Sequence, residues 1–360
     1  MEDEKLERLR SLGYLGTTGL PKRGAGHGVT VLDPNRVAPG STLAVFFGSC
    51  TAQLLSPEGA VVRSWKDEPC HRWDHAELLP DGGVVVVGAR LDQDEAEDPI
   101  QSGRYLMRLA RGGEVVWRLD INAHHDVSLT PDGKLLTLVM SRRRVPAIDP
   151  DNDIADDSLV LVSTDGKILE SLSLYDILVS AQPRYPIQKA GGHDAGKYHL
   201  IDLFHCNAIR TASVGFGPNT VIVTSRHQDD LLVIDWPTRK LLWHWGRGVL
   251  SGPHDATVLP TGRVLVFDNG LIRGQSRVLE LDPHAPTALR QFAPSGSGFF
   301  DRVLGSCQRL PNGNTLIVHS EGGSAIELAA DGTPVWTYEG TLATPDGHRV
   351  KISRLRRIAG

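Results

Sequence analysis

The chain has 360 residues, a formal net charge of −5, and a composition that is 40% hydrophobic and 22% charged. These are globular values, and the length suits one large all-β unit. They exclude a disordered chain; no basic face is dense enough for nucleic acid, and no apolar run is long enough to cross a membrane as a helix.

Residues 1–27 read as a helical or extended arm. The opening "MEDEKLERLRSLGYLG" is acidic and has no apolar h-region, so it is not a signal peptide. Leu6, Leu9 and Leu12 recur every third residue, which predicts a short amphipathic helix. Without a secretory signal the location reads as cytoplasmic by default. On the same ground Cys50, Cys70, Cys206 and Cys307 read as free thiols. None of them forms a C-x-x-C pair, which argues against a zinc ribbon.

From residue 28 onward the chain repeats. "STLAVFFGSCTAQLLSPEGAVVRSW", from Ser41, offers strands. "AELLPDGG" at Ala76 then recurs as "VSLTPDGK" at Val127, "ATVLPTGR" at Ala256 and "CQRLPNGN" at Cys307. Each is strand, turn, strand: Pro fixes φ and Gly accepts a positive φ. A second strand pair follows each hairpin, as in "YLMRLARGGEVVWRL" from Tyr105. Four antiparallel strands per repeat are the signature of a propeller blade. Full copies start near Trp73, His125, His205, His254 and Val303. A sixth blade combines the strands after Ser41 with "HRVKISRLRRI" from His348 as its inner strand. Residues 28–360 are therefore predicted to form an all-β, six-bladed β-propeller. The N- and C-terminal strands share one blade and leave no open edge.

Two insertions interrupt the pattern. One is "DQDEAEDPIQSG" from Asp92; the other runs from Tyr175 to Leu203 and leads into "LFHCNAI". Long loops on a rigid scaffold often cover a binding site. "DPDNDIADD", Asp149 to Asp157, lacks the Gly and terminal Glu of a calcium loop and reads as solvated. The basic runs Arg142–Arg144 and Arg354–Arg357 read as solvated strand ends.

Three successive blades carry histidine where the inner strand starts: "AHHDVSLTPDG" (His124, His125), "LFHCNAI" (His205) and "GPHDATVLPTG" (His254). In the first blade Asp74 takes the register of His125 and His254, with His75 one place off. In the fifth Gly305 takes it. One such histidine usually satisfies a buried loop; three at equivalent repeat positions converge on one point. Three histidines also suit zinc, and spacing alone leaves metal binding open. Arg226, in "VIVTSRHQDDLLVID", adds a cation. Unless a salt bridge to Asp229 or Asp230 consumes it, a guanidinium opposes a metal ion and favours an oxyanion. Asp126 and Asp255 follow His125 and His254, point elsewhere by strand alternation, and read as pins for a loop or neighbouring blade.

The pieces "HHD", "FHCNAI", "SRHQDDLLVID" and "GPHDATVLPTGRVLVFDNG", in this order among the spaced turns, resemble the bacterial arylsulfotransferases, the PAPS-independent aryl-sulfate transferases. The resemblance runs from about Gly28 to the C-terminus. It implies transfer of a sulfuryl group from a phenolic sulfate ester to a phenolic acceptor, by a ping-pong route through a sulfohistidine. It places the sulfate carrier on His254 and further catalytic positions on His205, Arg226 and His125, with His124 and Asn207 contacting substrate. No metal and no cofactor are implied, and no P-loop-like cradle is present for a nucleotide donor. The implied partners are a small-molecule aryl sulfate donor and a phenolic acceptor, with no nucleic acid; homo-oligomer formation stays open. Typical family members are periplasmic, with a signal sequence, an N-terminal β-domain and a disulfide. The alternative is a non-catalytic or metal-dependent propeller binding an anionic small ligand at the same histidines.

Overall fold

In the computed structural model the four Pro-x-Gly turns join the strands they were predicted to join. Their glycines take φ of +81° at Gly82, +77° at Gly133, +79° at Gly262 and +89° at Gly313, which a side chain would resist. Each amide bonds back across the turn, as Gly262 N does to the Leu259 carbonyl at 2.8 Å. The structure describes residues 17–21, 27–90, 100, 103–189, 199–294, 298–344 and 347–358. The predicted helix around Leu6–Leu12 and the acidic stretch 92–99 lie outside them.

Six antiparallel sheets make a ring. The chain enters with β1 (Thr17–Pro21) and β2 (Gly28–Leu32), then lays down β3 (Ser41–Phe47), β4 (Thr51–Leu55) and β5 (Val61–Lys66). The next blade holds β6 (Arg72–Leu78), β7 (Val84–Ala89), β8 (Arg104–Leu109) and β9 (Val115–Leu119). After it come β10 (Ala123–Leu129), β11 (Leu135–Arg143), β12 (Asp153–Val162) and β13 (Ile168–Ser173). Helix α1 (Leu174–Ser180) and β14 (Leu200–Asp202), which pairs in parallel with β12, occupy the second insertion. Then follow β15 (Cys206–Thr211), β16 (Thr220–Ser225), β17 (Asp230–Asp235) and β18 (Lys240–Trp245). The next blade is β19 (His254–Val258), β20 (Val264–Asp268), β21 (Arg277–Asp282) and β22 (Ala285–Phe292). The last is β23 (Ser306–Arg309), β24 (Thr315–His319), β25 (Ser324–Leu328) and β26 (Pro334–Glu339), and the chain ends in β27 (His348–Ile358).

Closure follows the sequence reading and adds to it. β27 pairs with β3, Val45 opposite Arg354 and Ser41 opposite Ile358, so the C-terminal strand is inner to β3–β5. The N-terminal segment also contributes β1 along the other edge of β27 and β2 outside β26. Apolar side chains fill the space between blades, among them the fully buried Trp65, Trp73 and Trp336.

Three expectations need correction. Cys50 and Cys70 form a disulfide, tying the end of β3 to the segment before β6; Cys206 and Cys307 remain free and buried. The Cys50–Cys70 pair meets because the β3–β4 turn packs beside the start of the next blade, which spacing in sequence does not reveal. Arg354 and Arg357 are buried, not solvated. Arg354 and Arg356 both bond Asp255, and Arg354 lies 3.7 Å from Asp126, so carboxylates of two other blades meet the inner strand across the channel. Finally, most of "DPDNDIADD" is strand: Asp156 and Asp157 sit buried on β12.

Candidate active site

In an antiparallel blade the start of the first strand and the end of the second lie at the same end of the ring. That geometry gathers His125, His205, Arg226 and His254. The predicted residues do not share one register position: His205 stands just ahead of β15, His254 begins β19, and His124 and His125 lie within β10 at a bulge. The rings converge nonetheless. His125 lies 5.0 Å from His124 and 4.8 Å from His205, and His205 lies 4.6 Å from His227. Backbone φ of +60° at His125 and +47° at His205 turns both side chains out of the strand direction.

His254 is 6% exposed. Its Nδ1 lies 2.7 Å from Asn269 Oδ1 and 3.0 Å from the Gly252 carbonyl. Both are acceptors. Asn269 cannot be turned round, because its Nδ2 donates to the carbonyls of Asp301 (2.8 Å) and Leu304 (2.9 Å). The ring proton therefore sits on Nδ1, and Nε2 keeps its lone pair. Burial first, then the Arg226 charge, push the His254 pKa down to about 3. The side chain is a neutral imidazole at any ordinary pH.

Arg226 follows β16. Its Nη1 donates to His227 Nε2 at 3.0 Å and its Nη2 to the Arg302 carbonyl at 3.4 Å; its buried Nε has no partner. The salt bridge to Asp229 or Asp230 does not form. Asp229 accepts from Gly252 N at 2.6 Å, and Asp230 holds Tyr185 (2.9 Å) and His244 (3.0 Å). No carboxylate of the described residues makes an ion pair with Arg226, so its charge is open to an anion, which would also offset the burial that lowers its pKa.

His205 Nδ1 donates to Asp202 Oδ2 at 2.5 Å, and His227 Nδ1 donates to the Asp202 carbonyl at 2.6 Å. Burial would raise the Asp202 pKa, but His205 and His227 hold it far below the carboxylate range. His125 is pushed well below its ordinary value, by burial and then by His205 and His124. His124 faces the buried Asp157 carboxylate, with Nε2 at 3.0 Å from Oδ1, and its Nδ1 lies 2.8 Å from His125 Nδ1. Asn207 is buried, and its Nδ2 donates to the Pro253 carbonyl at 2.8 Å. It therefore fixes the peptide just before His254.

Asp202, His205 and His227 also have the residue types of a metal site, with candidate donor atoms within 4.8 Å of one another. The donor set is already engaged, however. His227 gives Nδ1 to a carbonyl and Nε2 to Arg226, His205 gives Nδ1 to Asp202, and a guanidinium stands beside them. The arrangement suits an anion better than a cation.

Asp202, His227 and Asn269 were not singled out in the sequence. His227 and Asn269 lie inside the motifs "SRHQDD" and "FDNG". Only the fold shows that His227 bonds Arg226 and that Asn269 bonds His254. Asp202 closes the second insertion, whose placement was the one sequence signal for it.

The fold is a six-bladed propeller with a cluster of histidines and one arginine at one end of its channel. The family model described as Arylsulfotransferase (ASST) matches residues 105–341, and the chain belongs to that family. No curated protein matches the sequence significantly. A protein of unknown function from Bacteroides caccae is similar in structure, with a TM-score of 0.58 and 13% identity, covering 88% of this chain and 98% of its own. A chain of a nidogen/laminin complex matches with a TM-score of 0.51 and 13% identity over 86% of this chain and 96% of its own. At these identities the likeness is one of fold.

Proposed function

We propose that the protein is an aryl sulfotransferase that passes a sulfuryl group from an aryl sulfate to a phenol through His254. One observation carries this reading: His254 has a tautomer locked by Asn269, an unprotonated Nε2, and Arg226 beside it without a carboxylate partner. In the first half-reaction the Nε2 lone pair attacks sulfur, an N–S bond forms, and the S–O bond to the aryl group breaks. The positive charge growing on the ring is met at Nδ1–H by two carbonyl-type oxygens. The phenolate takes the Nε2 proton of His205 in its imidazolium form, whose Nδ1–H stays on Asp202 and which is left as a neutral ring. In the second half-reaction an acceptor phenol returns its proton to His205, its oxygen attacks sulfur, and the N–S bond breaks. Arg226 binds the sulfuryl oxygens throughout. Positioning and charge stabilisation dominate such transfers, and a covalent carrier makes the kinetics ping-pong.

The test is intact-protein mass after mixing the full chain with 4-nitrophenyl sulfate and no acceptor. The expected result is a gain of one sulfuryl group that a phenol removes, absent in His254→Asn. Arg226→Ala should lower the rate of 4-nitrophenol release by about 10²–10³, as loss of a preorganised charge partner does. A full burst of 4-nitrophenol from His254→Asn would overturn the assignment.

A further inference from the structure

We propose that the apolar tip formed by Leu271 and Ile272 is the wall against which the aryl ring of the substrate lies, and that it sets ring selectivity. This rests on the sulfotransferase reading for the identity of the anion but not for the location of the wall. Ile272 is 90% exposed and Leu271 39%. Large apolar side chains exposed elsewhere, such as Val62, Val116, Leu169 and Leu242, lie on β5, β9, β13 and β18, the outermost strands of their blades. Leu271 and Ile272 instead follow β20, at the channel end that holds the histidines.

The tip is also built to stay in place. Gly270 N and Leu271 N both donate to the Ser251 carbonyl, at 2.9 and 3.4 Å, and Gly274 N closes the turn on the Gly270 carbonyl at 2.8 Å. Arg273 bonds the buried Asp268 at 2.9 Å, and Asp268 in turn accepts from Ser251 N at 3.0 Å. The turn starts one residue after Asn269, which orients His254. Its placement beside the arginine is marked by Gly252: a methyl group there would press on Leu271 Cδ1 at 2.7 Å and would lie 3.9 Å from Arg226 Nε. The absent side chain leaves the way between apolar tip and guanidinium open.

An aryl sulfate has a charged end and an apolar end. The charged end belongs with Arg226 and His254. Around it His125, His205, Asp202 and His227 are polar, so a ring turned their way would be poorly matched. A ring turned towards Leu271 and Ile272 would cover apolar surface that is otherwise held in water on a fixed turn.

The experiment compares binding of 2-naphthyl sulfate and methyl sulfate by calorimetry in the full chain carrying His254→Asn, with and without Ile272→Ser. The parent should prefer the naphthyl ester, and Ile272→Ser should reduce that preference by about tenfold while leaving methyl sulfate affinity unchanged. In the chain with His254 intact, Ile272→Ser should raise KM for 2-naphthyl sulfate more than it changes kcat, and Ile272→Leu should restore it. No ring preference in the parent, or a preference that Ile272→Ser leaves intact, overturns the inference. Failure of the sulfotransferase reading has a different sign: the unsubstituted chain releases no naphthol, whatever the binding ratio shows.

Discussion

Asn269 does at residue scale what a carboxylate does behind many catalytic histidines, without adding charge. A neutral amide at Nδ1 selects the tautomer yet leaves the imidazole weakly basic, in keeping with the pKa of about 3 at His254. A carboxylate in the same place would favour the imidazolium and raise that pKa. Asn269→Asp should therefore give the rate of 4-nitrophenol release a new acid limb, moved up towards the ordinary histidine range. Asn269→Ala should lower the rate at all pH values by at least about tenfold, because the proton is then free to occupy Nε2. Stopped-flow release between pH 5 and 8 separates the two. If Asn269→Asp and Asn269→Ala have the same pH profile, the amide does not tune His254.

The disulfide acts at the scale of elements. Cys50 and Cys70 are 20 residues apart, and the bond ties the closing blade to the strand that carries Asp74. Asp74 accepts from His125 N at 3.2 Å and from Arg72 Nε at 2.9 Å, so the tether backs one side of the site. Closing a loop of this size restricts the unfolded chain by about 3 kcal/mol. Cys70→Ser should lower the free energy of unfolding in urea by about that amount, and a reducing agent should then have no further effect. Coincident curves for the variant and the oxidised chain would show that the bond does not form. The blades were legible in the sequence because Pro-x-Gly turns and alternating strands are local signals. The disulfide was not, because it depends on how two consecutive blades pack, and the burial of Arg354 was not, because it depends on which blades the ring brings together. Arg354 looks like part of a solvated basic run until Asp255 and Asp126, from two other blades, are placed opposite it. Within the site, His254 and Arg226 were legible as motif positions, while Asp202 and His227 show their part only when the second insertion is folded back with β14 along β12.

At the scale of the molecule, the gathering of neutral histidines makes stability depend on pH. His227 and His254 are pushed down to about 3 and His125 well below its usual value, burial being the largest cause for each. In the unfolded chain all three titrate near 6.5. As pH falls below that value the unfolded chain takes up protons that the folded chain refuses, so stability must fall with pH. Three such groups contribute up to about 4 kcal/mol per pH unit, and the buried His75, also held well below its ordinary value, adds to the same slope. Asp156, Glu77 and Asp229 act oppositely: burial raises their pKa values, so the folded state gains protons as the carboxylate range is approached. The histidine loss should therefore set in near pH 6.5 and reach its full slope by about pH 5.5, with these three carboxylates opposing it where they titrate. Asp202, held low by His205 and His227, adds a further loss only below the ordinary aspartate range. Urea unfolding at pH 7, 6 and 5 measures the slope, and His227→Gln should reduce it by about 1.4 kcal/mol per pH unit at most. A flat profile from pH 7 to 5 would mean that the histidines take up protons in the folded state as readily as in the unfolded chain, and that burial does not hold His254 neutral.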